Sequence, residues 1–270
     1  MIALSNSSPV KFILGPCQIE SEEHSYFMAE SINTICKRLG VEWIFKASFD
    51  KANRTSIDGE RGVGIHRGRD TLYAIKKGYG VPVLTDVHLP EQCAVLADTV
   101  DVIQIPAFLS RQTDLLVAAG KTGKVINIKK AQFMAPDDMR HAIKKVESTG
   151  NRNIWLTERG TSFGYKTLVN DMRSLVTMAL TGYPVIFDAT HSVQQPSGLD
   201  GKSGGDRTMV PHLARAATAV GVAGVFMEVH NDPDNAASDG PNAVRLEDLE
   251  DVLTSVIKID DVVKNDILHR

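Results

Sequence analysis

Short β-rich runs recur eight times along the chain, at residues 11–15, 42–48, 81–87, 100–106, 125–130, 153–159, 184–190 and 224–230. Most of the intervals hold one helix-length amphipathic segment, as at 137–148 and 169–180. Strand alternating with helix implies parallel pairing. Eight such units in 270 residues fit an α/β fold closed into a single (β/α)8 TIM barrel. An open doubly wound sheet is the competing arrangement, but no Gly-rich dinucleotide turn follows an early strand. No Pro/Gly/Ser linker or low-complexity tract divides the chain, so one domain over residues 1–270 is expected.

The formal net charge of −3, with no obviously basic face, argues against a general nucleic-acid binder. No apolar run approaches the length needed to span a membrane, and the first residues lack the charged-then-apolar pattern of a signal peptide. The three cysteines, Cys17, Cys36 and Cys93, are odd in number and widely spaced, which favours a reducing cytoplasm over a disulfide framework. Cys36 and Cys93 sit in helical-looking stretches and are read as small buried apolar residues.

Nearly every predicted strand ends in reactive side chains: Cys17, Lys46 and Ser48, Asp86 and His88, Gln104, Lys129, Arg159, Asp188 and His191, Glu228 and His230. In a parallel barrel the C-terminal rim is where catalytic groups sit, so this distribution points to an enzyme. The loop 46–56 carries Lys46, Lys51 and Arg54 among small polar residues. It reads either as a solvated loop or as a grip for an anionic, oxygen-rich ligand.

Closing the barrel makes the first strand a neighbour of the eighth. Cys17, His191 and Glu228 then converge, and Asp239 can fold back over them from the following loop. A thiolate, an imidazole and two carboxylates suit a divalent transition metal, although the spacing matches no zinc-finger or HExxH pattern. A buried cysteine beside hydrogen-bonded polar residues fits the same spacing. Opposite this zone we expect Lys46, Lys51, Arg54, Lys129 and Arg159, whose convergence implies a substrate with more than one anionic group. Strand alternation puts Lys46 and Ser48 on one face, likewise Asn127 and Lys129, and turns Lys130 toward the helices in a structural role.

Longer segments carry a resemblance. Residues 46–56, Asp101-Val-Ile-Gln-Ile-Pro-Ala-Phe-Leu-Ser-Arg-Gln-Thr-Asp114, Asn127-Ile-Lys-Lys130 with Gln132-Phe133, Glu158-Arg-Gly160 with Phe163-Gly-Tyr165, and Phe187-Asp-Ala-Thr-His-Ser-Val193 are similar to the 3-deoxy-D-manno-octulosonate 8-phosphate synthase family. The likeness runs from about residue 12 to the last helix. It implies condensation of phosphoenolpyruvate with D-arabinose 5-phosphate and water, giving an eight-carbon sugar acid phosphate for lipopolysaccharide synthesis and inorganic phosphate.

The resemblance further implies that Lys129 and Arg159 hold phosphoenolpyruvate, helped by Lys46, Ser48 and Gln132, with Gln104 also among the substrate-binding residues. Lys51, Asn53, Arg54 and Thr55 would grip arabinose 5-phosphate, with Arg54 and Thr55 at its phosphate. Phe108 and Arg111 resemble residues that reach into a neighbouring subunit's site in a homotetramer. Lys51, Asp86 and His88 are the candidates for proton transfer. His88 and His230 are equally compatible with an outer hydrogen-bonding role.

The family has metal-dependent and metal-independent branches, the latter with Asn at the end of the first strand. Cys17 stands there, and His191, Glu228 and Asp239 match the other ligands. The resemblance thus implies one divalent ion per subunit, whether iron, zinc, manganese or cobalt. Gln18 replaces an expected aliphatic residue and is expected to point off the ligand face. The sibling 3-deoxy-D-arabino-heptulosonate 7-phosphate synthases share these features but take erythrose 4-phosphate and carry a Lys-Pro-Arg-Thr-like loop. Lys51-Ala-Asn-Arg-Thr55 takes that place here. A barrel that only binds sugar phosphates or a partner protein is the remaining alternative. The Gly-rich stretch 197–207 is expected to close over the site.

Overall fold

The computed structural model describes residues 3–199 and 202–267. Eight parallel strands form the barrel: β1 (Lys11–Gly15), β2 (Trp43–Lys46), β3 (Val83–Asp86), β4 (Val102–Ile105), β5 (Val125–Lys129), β6 (Ile154–Glu158), β7 (Val185–Asp188) and β8 (Gly224–His230). They pair in sequence order, and β8 returns to β1 with Lys11 opposite Gly224 and Gly15 opposite Glu228. Helices α1 (Glu22–Leu39), α2 (Ile65–Tyr79), α3 (Pro90–Ala97), α4 (Thr113–Lys121), α5 (Met139–Glu147), α6 (Arg173–Ala179), α7 (Val210–Val220) and α8 (Leu249–Asp261) fill the connections. The expected (β/α)8 barrel is the observed one, with most strands a residue or two shorter at each end.

Two apolar layers explain the closure. Phe12, Leu14, Phe45, Val83, Ile103, Ile126, Leu156 and Val225 face outward and pack with buried helix residues such as Met28, Ile32, Leu72, Ile143 and Val256. A separate inner cluster takes one residue from every strand: Ile13, Ile44, Leu84, Val102, Val125, Trp155, Ile186 and Phe226. Leu4 packs beneath it. Successive strand residues point to opposite faces, so the inward positions two residues further along are set by this layer. They are Lys46, Asp86, Gln104, Asn127, Thr157, Asp188 and Glu228, all buried. An apolar floor carrying a polar ring is therefore written into the period-two pattern.

In β1 the corresponding position is Gly15. Its φ is 151°, and an added Cβ would lie 2.0 Å from the Lys46 carbonyl oxygen. Only glycine lets β1 and β2 approach closely just before Cys17. Three short pairings ornament the rim: Thr161–Ser162 with Leu168–Val169, Gln194–Leu199 with Lys202–Gly205, and Val244–Arg245 beside the end of β8. The stretch 197–207 thus belongs partly to a β-hairpin, and its residues 200 and 201 lie outside the described residues.

Candidate active site

A cavity of about 1030 Å³ opens at the C-terminal rim. Of the residues singled out in the sequence, Lys46, Lys51, Asn53, Arg54, Thr55, Asp86, His88, Gln104, Phe108, Lys129, Gln132, Arg159, His191 and Asp239 line it. Ser48 lies just beneath, fully buried. Arg111 does not join them: its side chain is exposed, and its carbonyl accepts a 2.7 Å hydrogen bond from Lys145 Nζ.

Cys17, Glu228 and Asp239 converge, each offering a ligand atom within 4.8 Å of the others. Cys17 Sγ is 3.2 Å from Asp239 Oδ2. His191 Nε2 faces the same group, 3.5 Å from Glu228 Oε1 and 3.7 Å from Asp239 Oδ2. Its other nitrogen, Nδ1, lies 2.7 Å from Asp188 Oδ2, an arrangement that orients imidazole ligands in metal sites. Glu228 Oε2 is buried and has no hydrogen-bond partner. A thiol, an imidazole and two carboxylates around an unpartnered buried oxygen fit a divalent transition metal. Asp239 reaches the cluster in left-handed backbone (φ 52°), and Gly240 behind it leaves room for the Pro233 carbonyl, which an added Cβ would meet at 2.1 Å.

The charge states follow from burial and neighbours. Burial, then the Glu228 carboxylate, drive the Cys17 thiol well above its ordinary range. Burial alone would raise Asp239, but His191 and Lys51 outweigh it and hold the carboxylate ionised. Asp188 behaves likewise, with His191 and Lys129 opposing the effect of burial.

The cations do not stand opposite this cluster, as the sequence suggested; they interlock with it. Lys46 Nζ donates to the Cys17 carbonyl at 2.7 Å and pairs with Glu228 Oε1 at 3.1 Å. Lys129 Nζ lies 2.5 Å from Asp188 Oδ2. The reason is topological: β1, β2 and β8 are neighbours, and buried ammonium groups need nearby carboxylates. Lys130 is buried among the Ala131 and Met134 carbonyls and Thr161 Oγ1, the structural role expected of it.

Lys51, Ser48, Asp86 and His88 form one chain of hydrogen bonds. Lys51 Nζ donates to Ser48 Oγ at 2.9 Å, Ser48 donates to Asp86, and His88 Nε2 lies 3.1 Å from Asp86 Oδ2. Burial works against a charge on Lys51, but the Asp86, Glu228 and Asp239 carboxylates outweigh it and raise its pKa. Lys51 therefore stays an ammonium group near neutrality, a hydrogen-bond donor and not a base. Across the rim, Gln104, Asn127 and Thr157 form a buried ladder.

Five residues in the rim escaped assignment from sequence. Asp188 anchors both Lys129 and His191, and its inward position two after Ile186 was a readable signal. Gln194 bridges the site, donating to Asp239 Oδ1 at 2.8 Å and accepting from Arg159 Nη2 at 2.8 Å. Gln18 does not turn away from the site: its Oε1 accepts from Arg54 Nη2 at 2.5 Å. Ser238 touches both Cys17 and Arg54. No motif marks Gln194, Gln18 or Ser238. The fifth, Glu20, accepts from the Ala237 N–H and lies 3.3 Å from His230 Nε2, with His24 alongside. His230 Nδ1 accepts the Asp232 N–H, so the neutral ring carries its proton on Nε2 and has no lone pair for a second cation there.

Two buried atoms of the cation side are without partners, Arg159 Nη1 and Gln132 Oε1. Together with Lys129 they leave donors and an acceptor facing a ligand-sized space.

The family model for the DAHP synthetase I family matches residues 2–265. The chain is 58% identical over 259 residues to a 2-dehydro-3-deoxyphosphooctonate aldolase of Granulibacter bethesdensis, covering 96% of this chain and 92% of that protein. It is 56% identical over 263 residues to proteins of the same name from Rhizobium meliloti and Rickettsia bellii. These alignments cover 97% of this chain and 94% and 96% of the two relatives.

Proposed function

Since the chain belongs to the DAHP synthetase I family, we propose that it condenses phosphoenolpyruvate with D-arabinose 5-phosphate and water to 3-deoxy-D-manno-octulosonate 8-phosphate and inorganic phosphate, for lipopolysaccharide synthesis. The observation that carries the reading is one cavity in which Lys46, Lys51, Arg54, Lys129 and Arg159 surround a Cys/His/carboxylate cluster. Two mutually repelling anions need such a lining. The octonate named in relatives at 56–58% identity favours the five-carbon sugar phosphate over erythrose 4-phosphate.

Lys129, Arg159 and Gln132 hold the phosphoenolpyruvate carboxylate and phosphate, with Lys46, Ser48 and Gln104 at the floor. Lys51, Asn53, Arg54 and Thr55 hold the sugar phosphate. Carbon 3 of the enol phosphate attacks the aldehyde carbon, and the aldehyde oxygen takes a proton. Positive charge develops at carbon 2, where water adds and loses a proton. The resulting hemiketal phosphate expels inorganic phosphate by C–O cleavage, leaving the ketone. Holding both anions in register supplies a large part of the rate. We assign protonated Lys51 as the hydrogen-bond donor to the aldehyde oxygen, and His88, oriented by ionised Asp86, as the group that accepts the proton from water.

Cys17, His191, Glu228 and Asp239 would hold one divalent ion, iron, zinc, manganese or cobalt. When bound, such an ion supplies Lewis-acid polarisation of the aldehyde or orientation of water.

Assembly as a homotetramer is supported by exposed aromatic side chains on the loops after β4, β5 and β6, among them Phe108, Phe133, Phe163 and Tyr165. Phe108 and Arg111 would complete a neighbour's site. Action in the cytoplasm is supported by three unpaired cysteines. Among the described residues no helix is long and apolar enough to cross a membrane.

Phosphate release with phosphoenolpyruvate plus either arabinose 5-phosphate or erythrose 4-phosphate, with and without EDTA, tests the reading. Turnover only with the five-carbon sugar phosphate is expected. Turnover only with erythrose 4-phosphate, or with neither, overturns it.

A further inference from the structure

One oxygen atom stands between the two halves of the site. Ser238, buried in the loop after β8, has its Oγ 2.9 Å from Arg54 Nη1 and 3.1 Å from Cys17 Sγ. We infer that Ser238 is a positioning residue through which Arg54 and Cys17 act on one another, so that the sugar-phosphate clamp tunes cation binding at the Cys17 cluster. This rests on the metal and sugar-phosphate roles given above.

Arg54 has little freedom. Its Nε donates to the Glu60 carbonyl at 2.6 Å, and Nη2 donates to Gln18 Oε1 at 2.5 Å and to the Ala237 carbonyl at 3.3 Å. With Ser238 on Nη1, four of the five N–H groups of a guanidinium are engaged. The remaining one is on Nη1, the nitrogen that also holds Ser238. A bidentate grip on phosphate therefore displaces at least one protein acceptor. Gln18, the Glu60 carbonyl and the Ala237 carbonyl keep the guanidinium aimed at Ser238 in the meantime.

Ser238 has one hydroxyl hydrogen and two acceptor sites. With a protonated Cys17 it accepts from Arg54, and the single thiol hydrogen is shared between Ser238 Oγ and Asp239 Oδ2. A sulfur that ligates a cation has lost its proton, so the hydroxyl must then donate to it. Arg54 remains on the oxygen's lone pair. An N–H that donates into a hydroxyl strengthens the hydrogen bond which that hydroxyl donates onward. The Arg54 cation is thereby transmitted to the sulfur without touching it.

The test is a Co2+ titration of metal-free protein, read by the thiolate-to-cobalt absorbance and needing no sugar phosphate. Ser238→Ala is expected to raise the Co2+ Kd about tenfold, the lower end of the range for groups behind metal ligands. Ser238→Thr, which keeps the hydroxyl, should restore it. Arg54→Ala should raise the Kd at least about twofold in the wild-type background, the size of the smaller couplings between contacting residues. It should add nothing in the Ser238→Ala background. Additive effects, or an Arg54→Ala Kd equal to wild type, overturn the inference. Circular dichroism of each variant separates a lost fold from a lost link. Failure of this cycle leaves the activity assay with arabinose 5-phosphate standing, and the converse also holds.

Discussion

Cys17 Sγ lies 3.2 Å from Asp239 Oδ2, across 222 positions of sequence. Barrel closure makes the contact, because β1 pairs with β8 and the loop carrying Asp239 returns over that seam. The sulfur also touches Ser238, so its neighbours can hydrogen-bond a replacement of similar size. Cys17→Asn is therefore expected to bind metal poorly while keeping part of the turnover. Cys17→Ala, which removes the sulfur and puts no polar group in its place beside Asp239 Oδ2, should lose more. Metal content by atomic emission alongside turnover checks both, and EDTA-stripped wild type with full turnover and no metal would refute the ligand assignment.

Asp188 holds Lys129 and His191 together from a fully buried position. Asp188→Ala leaves an ammonium group buried without its partner, which should lower unfolding stability by about 3–5 kcal/mol. It also frees the His191 ring, and metal affinity should fall about 10- to 100-fold. Denaturant unfolding and a metal titration report the two effects separately. Loss of neither would mean that the pair is ornamental.

Arg54→Ala should raise the KM for arabinose 5-phosphate about tenfold to a hundredfold, the equivalent of hydrogen bonds to a charged group. The KM for phosphoenolpyruvate should stay within about twofold, because the residues proposed for that substrate are Lys129, Gln132 and Arg159, which line other parts of the cavity. Steady-state kinetics with each substrate varied in turn decide the matter. An unchanged sugar-phosphate KM removes Arg54 from its role.

Asp86 links pH to stability. Burial would raise its pKa, but Lys51 and His88 outweigh that and hold it well below the usual carboxylate range. A group with a depressed folded pKa contributes stability that is fully present above its unfolded pKa, about 3.9. That contribution is lost as pH falls from there toward the folded pKa. The stability difference between wild type and Asp86→Asn should therefore be constant at neutral pH and shrink below about pH 4. Unfolding curves across that range test it, and a difference that grows on acidification contradicts the sign.

The barrel was legible because its signals are local. The inner residues Ile13, Ile44, Leu84, Val102, Val125, Trp155, Ile186 and Phe226 recur once per strand. Period-two alternation then points Lys46, Asp86, Gln104, Asp188 and Glu228 inward above them. Which strands carry reactive groups, and that Cys17, His191, Glu228 and Asp239 share one end, follows from order and closure alone. Lys130, buried in a structural role, was readable in the same way.

Pairwise partnership was not legible, because it depends on side-chain reach across a closed ring. By itself the sequence determined the barrel, the polar rim and the cast of residues, since alternation and strand order are properties of the chain. Only the tertiary structure decided that Lys46 serves Glu228, that Gln18 turns toward Arg54, and that Gln194 ties Arg159 to Asp239. Buried charges and amides take whichever partners the fold brings within about 3 Å, where a bond offsets the loss of water. No spacing along the chain encodes that distance.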